Sequence, residues 1–248
     1  METTSDMITR IKAILFFLLI MGLTVVLIPV TLLAQVENEA EISPNEMRSL
    51  LQANKIPTHR AVNTIGSPFL NEEFHEGSVF LENGRVTRNV PIRYNTHEQR
   101  IDFLHGNEIF SVGLEKLNSF EFHMEGKRYR FSRGFEASGL TADDFVEVAA
   151  DGAATFLVRH HTSLFQDSAT YGVATQEDKY VSSEIFYIKA GEEGFNRIRR
   201  PNRRRVIRNF PDHREELEQY GENNRLDYSS RTDVARLTAW YNTLVQGE

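Results

Sequence analysis

The chain has 248 residues, 40% of them apolar and 25% charged, enough for one large domain or two small ones with a sizeable core. The formal net charge is −7 and stays there without residues 1–34, because Arg10 and Lys12 leave together with Glu2 and Asp6. Such an acidic chain is a poor general binder of nucleic acid, and the absence of cysteine excludes disulfides, thiolate metal sites and a cysteine nucleophile.

From Ala13 to Ala34 there is no charge, and the run beginning at Ile14 is too apolar for a soluble surface helix. A secretory signal peptide cut before Gln35 is the favoured reading, because Pro29 breaks the run and an acidic stretch follows Val36. The alternative is a single N-terminal membrane anchor. Both put the rest of the chain outside the cytoplasm: periplasmic, outer-membrane-associated or extracellular.

Residues 35–65 form an N-terminal segment with one short helix. Ser43 is its expected N-cap, Pro44 takes the first helical position and Glu46 closes a capping box. Met47, Leu50, Leu51 and Asn54 continue at helical spacing, and Ile56-Pro57 ends it.

Residues 66–248 read as a β-rich domain with C-terminal helices. Gly66-Ser-Pro68 sets the start, and Ser78–Leu81 and Arg85–Asn95 flank Asn83-Gly84, a two-residue hairpin turn needing positive φ at both positions. Pro91 marks an edge or a bulge. Further pairs flank His105-Gly106-Asn107, Glu125-Gly126 and Asp151-Gly152. Around Glu125-Gly126 the alternation is clean, with Phe120, Phe122, Tyr129 and Phe131 on one face and Glu121, His123, Arg128 and Arg130 on the other. Residues 162–179 are polar and read as a long loop, and Glu184–Lys189 is the last strand. Helices are expected over Asp212–Tyr220, stopped by Gly221, and over Val234–Val245, with Val234, Leu237, Trp240, Tyr241 and Leu244 as the apolar stripe. The class is α+β: an antiparallel β-meander, as a curved sheet or partial barrel, with a short N-terminal helix and two C-terminal helices.

Seven arginines fall within the twelve positions from Arg197 to Arg208. Arg199, Arg200, Arg203, Arg204 and Arg205 are the candidates for binding an anion or a lipid headgroup, since the guanidinium fork suits bidentate oxyanions. The bland alternative is a solvated face neutralised by Glu215, Glu216 and Glu218. Phe120, Phe122, Tyr129 and Phe131 are the candidates for lining a hydrophobic-ligand site. His97, His105, His123, His160 and His161 show no metal-ligand spacing and read as surface residues, so no metal and no cofactor is expected. Gly-x-Ser-x-Gly, Ser-x-x-Lys and phosphate-cradling glycine loops are all missing. Paired carboxylates, which meet in space rather than in sequence, stay open.

Gly66-Ser-Pro-Phe-Leu70, Val90-Pro-Ile-Arg-Tyr-Asn95, Leu217-x-x-Tyr220, Asn224-Arg-Leu226 and Leu237-x-x-Trp-Tyr-Asn242 together resemble a group of uncharacterised secreted proteins of Bacteroidota. The resemblance runs from about residue 54 to the C-terminus. It implies export and a β-rich fold, and no activity. The expected function is that of an exported, non-enzymatic envelope protein, a binding or structural module of unknown ligand and partner, with lipid or other envelope components as the candidates. The alternative is a carrier of lipid or another hydrophobic ligand in a half-barrel.

Overall fold

The computed structural model describes residues 40–56, 64–166 and 178–247. The expected leader at 1–34 lies outside the described residues. The chain divides into two units, residues 1–39 and 40–248, and everything below concerns the second.

Its elements run β1 (Ala40–Glu41), α1 (Pro44–Leu51), β2 (Asn54–Lys55), β3 (Thr64–Ile65), β4 (His75–Leu81), β5 (Arg85–Asn95), β6 (Arg100–His105), β7 (Glu108–Gly113) and a 3-10 turn (Leu114–Lys116). They continue with β8 (Leu117–Met124), β9 (Lys127–Ser132), β10 (Val146–Ala150), β11 (Ala154–Phe165), β12 (Asp178–Ala190), β13 (Asn196–Ile198), α2 (Arg203–Ile207), α3 (Arg214–Asn223) and α4 (Arg231–Gln246). All the strands join one mixed, mostly antiparallel sheet in the order β13-β12-β11-β10-β9-β8-β4-β5-β6-β7-β2. The two exceptions to antiparallel pairing are short: β1 runs parallel to β5, and β3 parallel to β12. The order is not a pure meander, because β4 is inserted between β8 and β5.

Several boundaries differ from the sequence expectation, each for a local reason. Ser43 does cap α1, with both halves of the capping box formed, and the bonds from its backbone and hydroxyl hold the Glu46 carboxyl below its ordinary range. But α1 stops at Leu51, where Gln52 turns left-handed, so Asn54 is a strand residue paired with Ser111 of β7. Gly84 alone takes positive φ at the first hairpin, and its N–H bonds Leu81 C=O at 3.1 Å, which makes a longer type I loop instead of a two-residue turn. The bulge in β5 lies at Arg88-Asn89, before Pro91, with Asn89 at φ 53°. Residues 162–165 and 178–179, expected in the loop, belong to β11 and β12 and are paired across the ladder that joins them, while residues 167–177 lie outside the described residues. Ile198 adds a further strand inside the arginine run, and α2 makes three C-terminal helices where two were expected. Gly221 does not stop α3 but lies within it. A Cβ there would collide with the Tyr228 hydroxyl, so glycine is kept for close approach.

The core forms where the strand rows meet. Register places Val79, Phe120, Phe131, Glu147, Val158, Phe186 and Ile198 opposite one another across the sheet, hence on one face. One end of that row belongs to a cluster built from β4–β9 and the α1 residues Met47 and Leu51. The other end belongs to a cluster of β11–β13 against Val206, Leu217, Val234, Leu237 and Tyr241 of the three C-terminal helices. A smaller cluster on the opposite face unites Leu140, Val146, Leu157 and Tyr187. Glu147 is the one charged member of the row, and it stands at the seam between the two larger clusters.

Candidate functional site

The seam residue sets the geometry of the site. The Glu147 side chain is 2% exposed and is met by two partners, one on each carboxylate oxygen. His160, two positions beyond Val158 on β11 and therefore on the same face, places Nε2 2.8 Å from Oε2. Arg231, at the first turn of α4, donates from Nη1 to Oε1. Its Nη2 donates to the Tyr129 hydroxyl at 2.9 Å, and its Cζ lies 4.5 Å over the Tyr129 ring. Burial raises the Tyr129 hydroxyl pKa, and Arg231 partly offsets that. A buried carboxylate is tolerated only with such partners. Here the two come from separated parts of the chain, β11 and α4, with Tyr129 of β9 bonded behind Arg231.

A carboxylate paired to arginine can only accept, so His160 Nε2 is the donor of that bond. That leaves Nδ1, 3.5 Å from Glu184 Oε1 on the neighbouring strand. His160 and Glu184 form part of the wall of a cavity of about 430 Å³, with Thr162, Ser182, Thr96 and Leu70 completing the side they face. Thr162 is buried and joins a chain of hydroxyls, 2.7 Å from Thr96 Oγ1 and 3.0 Å from Ser182 Oγ. His97 fixes the rim, with Nδ1 3.0 Å from Thr162 C=O and its ring edge-on to Tyr180. Pro68 C=O receives Thr96 N–H at 2.9 Å, which brings the Gly66-Ser-Pro68 segment and Leu70 against the cavity.

The residues singled out from sequence lie elsewhere. Phe120, Phe122, Tyr129 and Phe131 are buried and stacked on one another, with Phe120–Phe131 centroids 4.7 Å apart and Phe122–Tyr129 5.6 Å apart. Tyr94 packs edge-on against Phe120 and Phe131, both at 5.2 Å. These rings fill the interior and none of them lines the cavity. Within the arginine run, Arg203 bridges α2 to α3 through Glu218 and Glu222. Arg205 turns back onto Arg199 C=O and Arg200 C=O at 3.2 and 2.9 Å, closing the turn before α2. Arg199, Arg200 and Arg204 are exposed. The structure thus uses two of the five candidates as braces and does not gather the five into one pocket.

His160 is not the surface residue it was expected to be, because it occupies an inward position and has a buried carboxylate to receive it. His161, next in sequence, is exposed on the other face. Among the described residues no group of three or more histidine, aspartate or glutamate side chains is placed to hold a metal ion. No helix among them is long and apolar enough to cross a membrane. No family model, no curated protein and no solved structure matches the chain.

Sequence reasoning missed Glu147, His160 and Arg231. The signal was present for one of them. Ala154, Phe156, Val158, His160 and Thr162 share one face of β11, and a histidine in an inward row needs a buried partner.

Proposed function

We propose that the chain is an exported, non-enzymatic protein of the cell envelope that binds a small ligand in the cavity between β11, β12 and the Pro68–Leu70 segment. What carries the reading is the cavity wall: His160 is held in one orientation by a buried carboxylate, beside Glu184 and a hydrogen-bonded row of hydroxyls. Such pre-ordering lowers the entropic cost of binding. The volume of about 430 Å³ lies within the range of small-molecule sites, about 300–1,000 Å³. The aromatic face is packed with its own side chains, which favours this polar cavity over a hydrophobic-cargo reading. Export rests on the charge-free stretch Ala13–Ala34 and fits the resemblance to secreted Bacteroidota proteins.

On the same reading the sheet is strongly curved, as a partial barrel. In support, β7 and β8 are joined only by Leu114–Lys116 although β6, β5 and β4 lie between them in the order. A flat sheet would separate them by about 19 Å at about 4.8 Å per strand, more than so short a link comfortably spans.

Native mass spectrometry of the protein taken from the envelope fraction tests the proposal. The expected result is a chain beginning at Gln35 or a nearby residue, carrying a small molecule that is lost in Ser182→Phe, which puts a ring into the cavity beside Thr162. An intact Met1 would favour the anchor. Identical bound mass in the wild-type and Ser182→Phe proteins would refute the cavity as the binding site.

A further inference from the structure

The polar groups of the cavity are unequal in kind, and that inequality bears on what fits. Glu184 carries the only formal charge among the lining residues, Leu70, Thr96, His160, His161, Thr162, Ser182, Ser183 and itself, when the imidazoles are neutral. Among the described residues no lysine or arginine lines the space. With Nε2 donating to Glu147, His160 turns Nδ1 toward the Glu184 carboxylate, 3.5 Å from Oε1. The Glu184 carboxylate, 42% exposed, is left to meet a ligand, and a donor with more than one hydrogen can serve it and a second acceptor of the wall at once. A hydroxyl has a single hydrogen and can serve only one. A primary ammonium has three and carries the opposite charge to Glu184.

The rest of the wall points the same way. Thr96, Thr162 and Ser182 are linked in series at 2.7 and 3.0 Å, and Thr96 Oγ1 donates to Pro68 C=O at 3.2 Å, so Thr162 donates to Thr96 and Ser182 to Thr162. With its hydrogens spent inside the row, the row offers a ligand lone pairs, which complement hydroxyl and ammonium donors. Leu70 offers apolar surface to a carbon skeleton. An anion would meet Glu184 with no countercharge among the described lining residues.

We infer that the cavity takes a small hydroxylated primary ammonium, an amino sugar or amino alcohol, with the ammonium against the Glu184 carboxylate and its hydroxyls along Thr162 and Ser182. The inference rests on the cavity being a binding site at all, and its test separates the two. The full chain, in mild detergent and labelled at the histidine ring nitrogens, is titrated with glucosamine, glucose and acetate in parallel. Glucosamine is expected to shift the His160 ring signals and to bind at least about tenfold more tightly than glucose, the advantage of a charge-assisted over a neutral hydrogen bond. Glu184→Gln, an isostere at a side chain 42% exposed, is expected to remove that advantage without unfolding the chain. Glucose binding as tightly as glucosamine, or a preference that survives Glu184→Gln, would overturn the ammonium inference and leave the cavity standing as a binding site. Acetate binding most tightly would overturn it as well. If no probe moves the His160 signals, the inference fails, and the fate of the cavity is then decided by the bound mass in Ser182→Phe.

Discussion

At Glu125 and Gly126 the backbone takes φ of 53° and 72°, and Met124 pairs directly with Lys127, so the turn is a two-residue type I′. Glycine meets that demand without strain, but glutamate has a Cβ that the left-handed region crowds. Asparagine tolerates the same region better because its short side chain bonds locally. Replacing Glu125 with Asn is therefore expected to stabilise the fold by roughly 0.5–1 kcal/mol, read as a higher urea midpoint with unchanged slope. The neighbouring turn shows the other solution. Gly106 alone is positive at φ 63° before Asn107, the mark of a type II′ turn, and no strain is to be relieved there. These X-Gly turns could be located in the sequence but not graded. The grade depends on which of the two positions the register puts at positive φ, and register is fixed by strands on both sides.

Among the elements, α4 shows how a helix is tied to a sheet by polar as well as apolar groups. Ser230 caps it, Val234, Leu237 and Tyr241 are buried, and Trp240 stacks on Tyr220 of α3 at 4.5 Å. These are positions the apolar stripe predicted. The stripe did not predict that Thr238 and Asn242 would be buried with them. Asn242 acts as a substitute strand: its Oδ1 accepts from Ala154 N–H at 2.7 Å and its Nδ2 donates to Ala154 C=O at 2.9 Å. It does so where β10 and β11 slip register between Val148 and Ala150, which leaves the start of β11 in need of partners. Asn242→Ala would leave a buried N–H and C=O unsatisfied together. A loss of about 2–4 kcal/mol is expected in chemical unfolding, more than an exposed helix position would give. A loss under about 1 kcal/mol would mean that water replaces the amide at Ala154.

For the molecule as a whole, the question is whether the two large clusters on one sheet face behave as one unit. The amphipathic alternation of β8 and β9 was legible from sequence because aromatic residues at period two suit a half-buried strand and misplace half their rings on a helix. The insertion of β4 and the seam at Glu147 were not legible, because both follow from pairings between residues far apart in the chain. The same distance hid the site: Tyr129, Glu147, His160 and Arg231 share no spacing, only a place. That place joins the halves. A continuous ladder runs from β8 through β12, and Arg231 fastens the helical layer to β10 and β9 across the seam. Nothing in such a connection lets the helices leave while Glu147 stays satisfied, since losing Arg231 strands a buried carboxylate at a cost of roughly 3 kcal/mol. The single tryptophan makes this testable. Trp240 lies in the helical layer, so its fluorescence reports that cluster, while far-UV circular dichroism reports mainly the sheet. In urea the two signals are expected to change together, with one midpoint and one slope. In Arg231→Met the midpoint should fall, and the Trp240 transition is expected to move ahead of the sheet signal as the seam loosens. Separate midpoints already in the unaltered protein would show that the two clusters fold independently and that the Glu147 seam does not couple them.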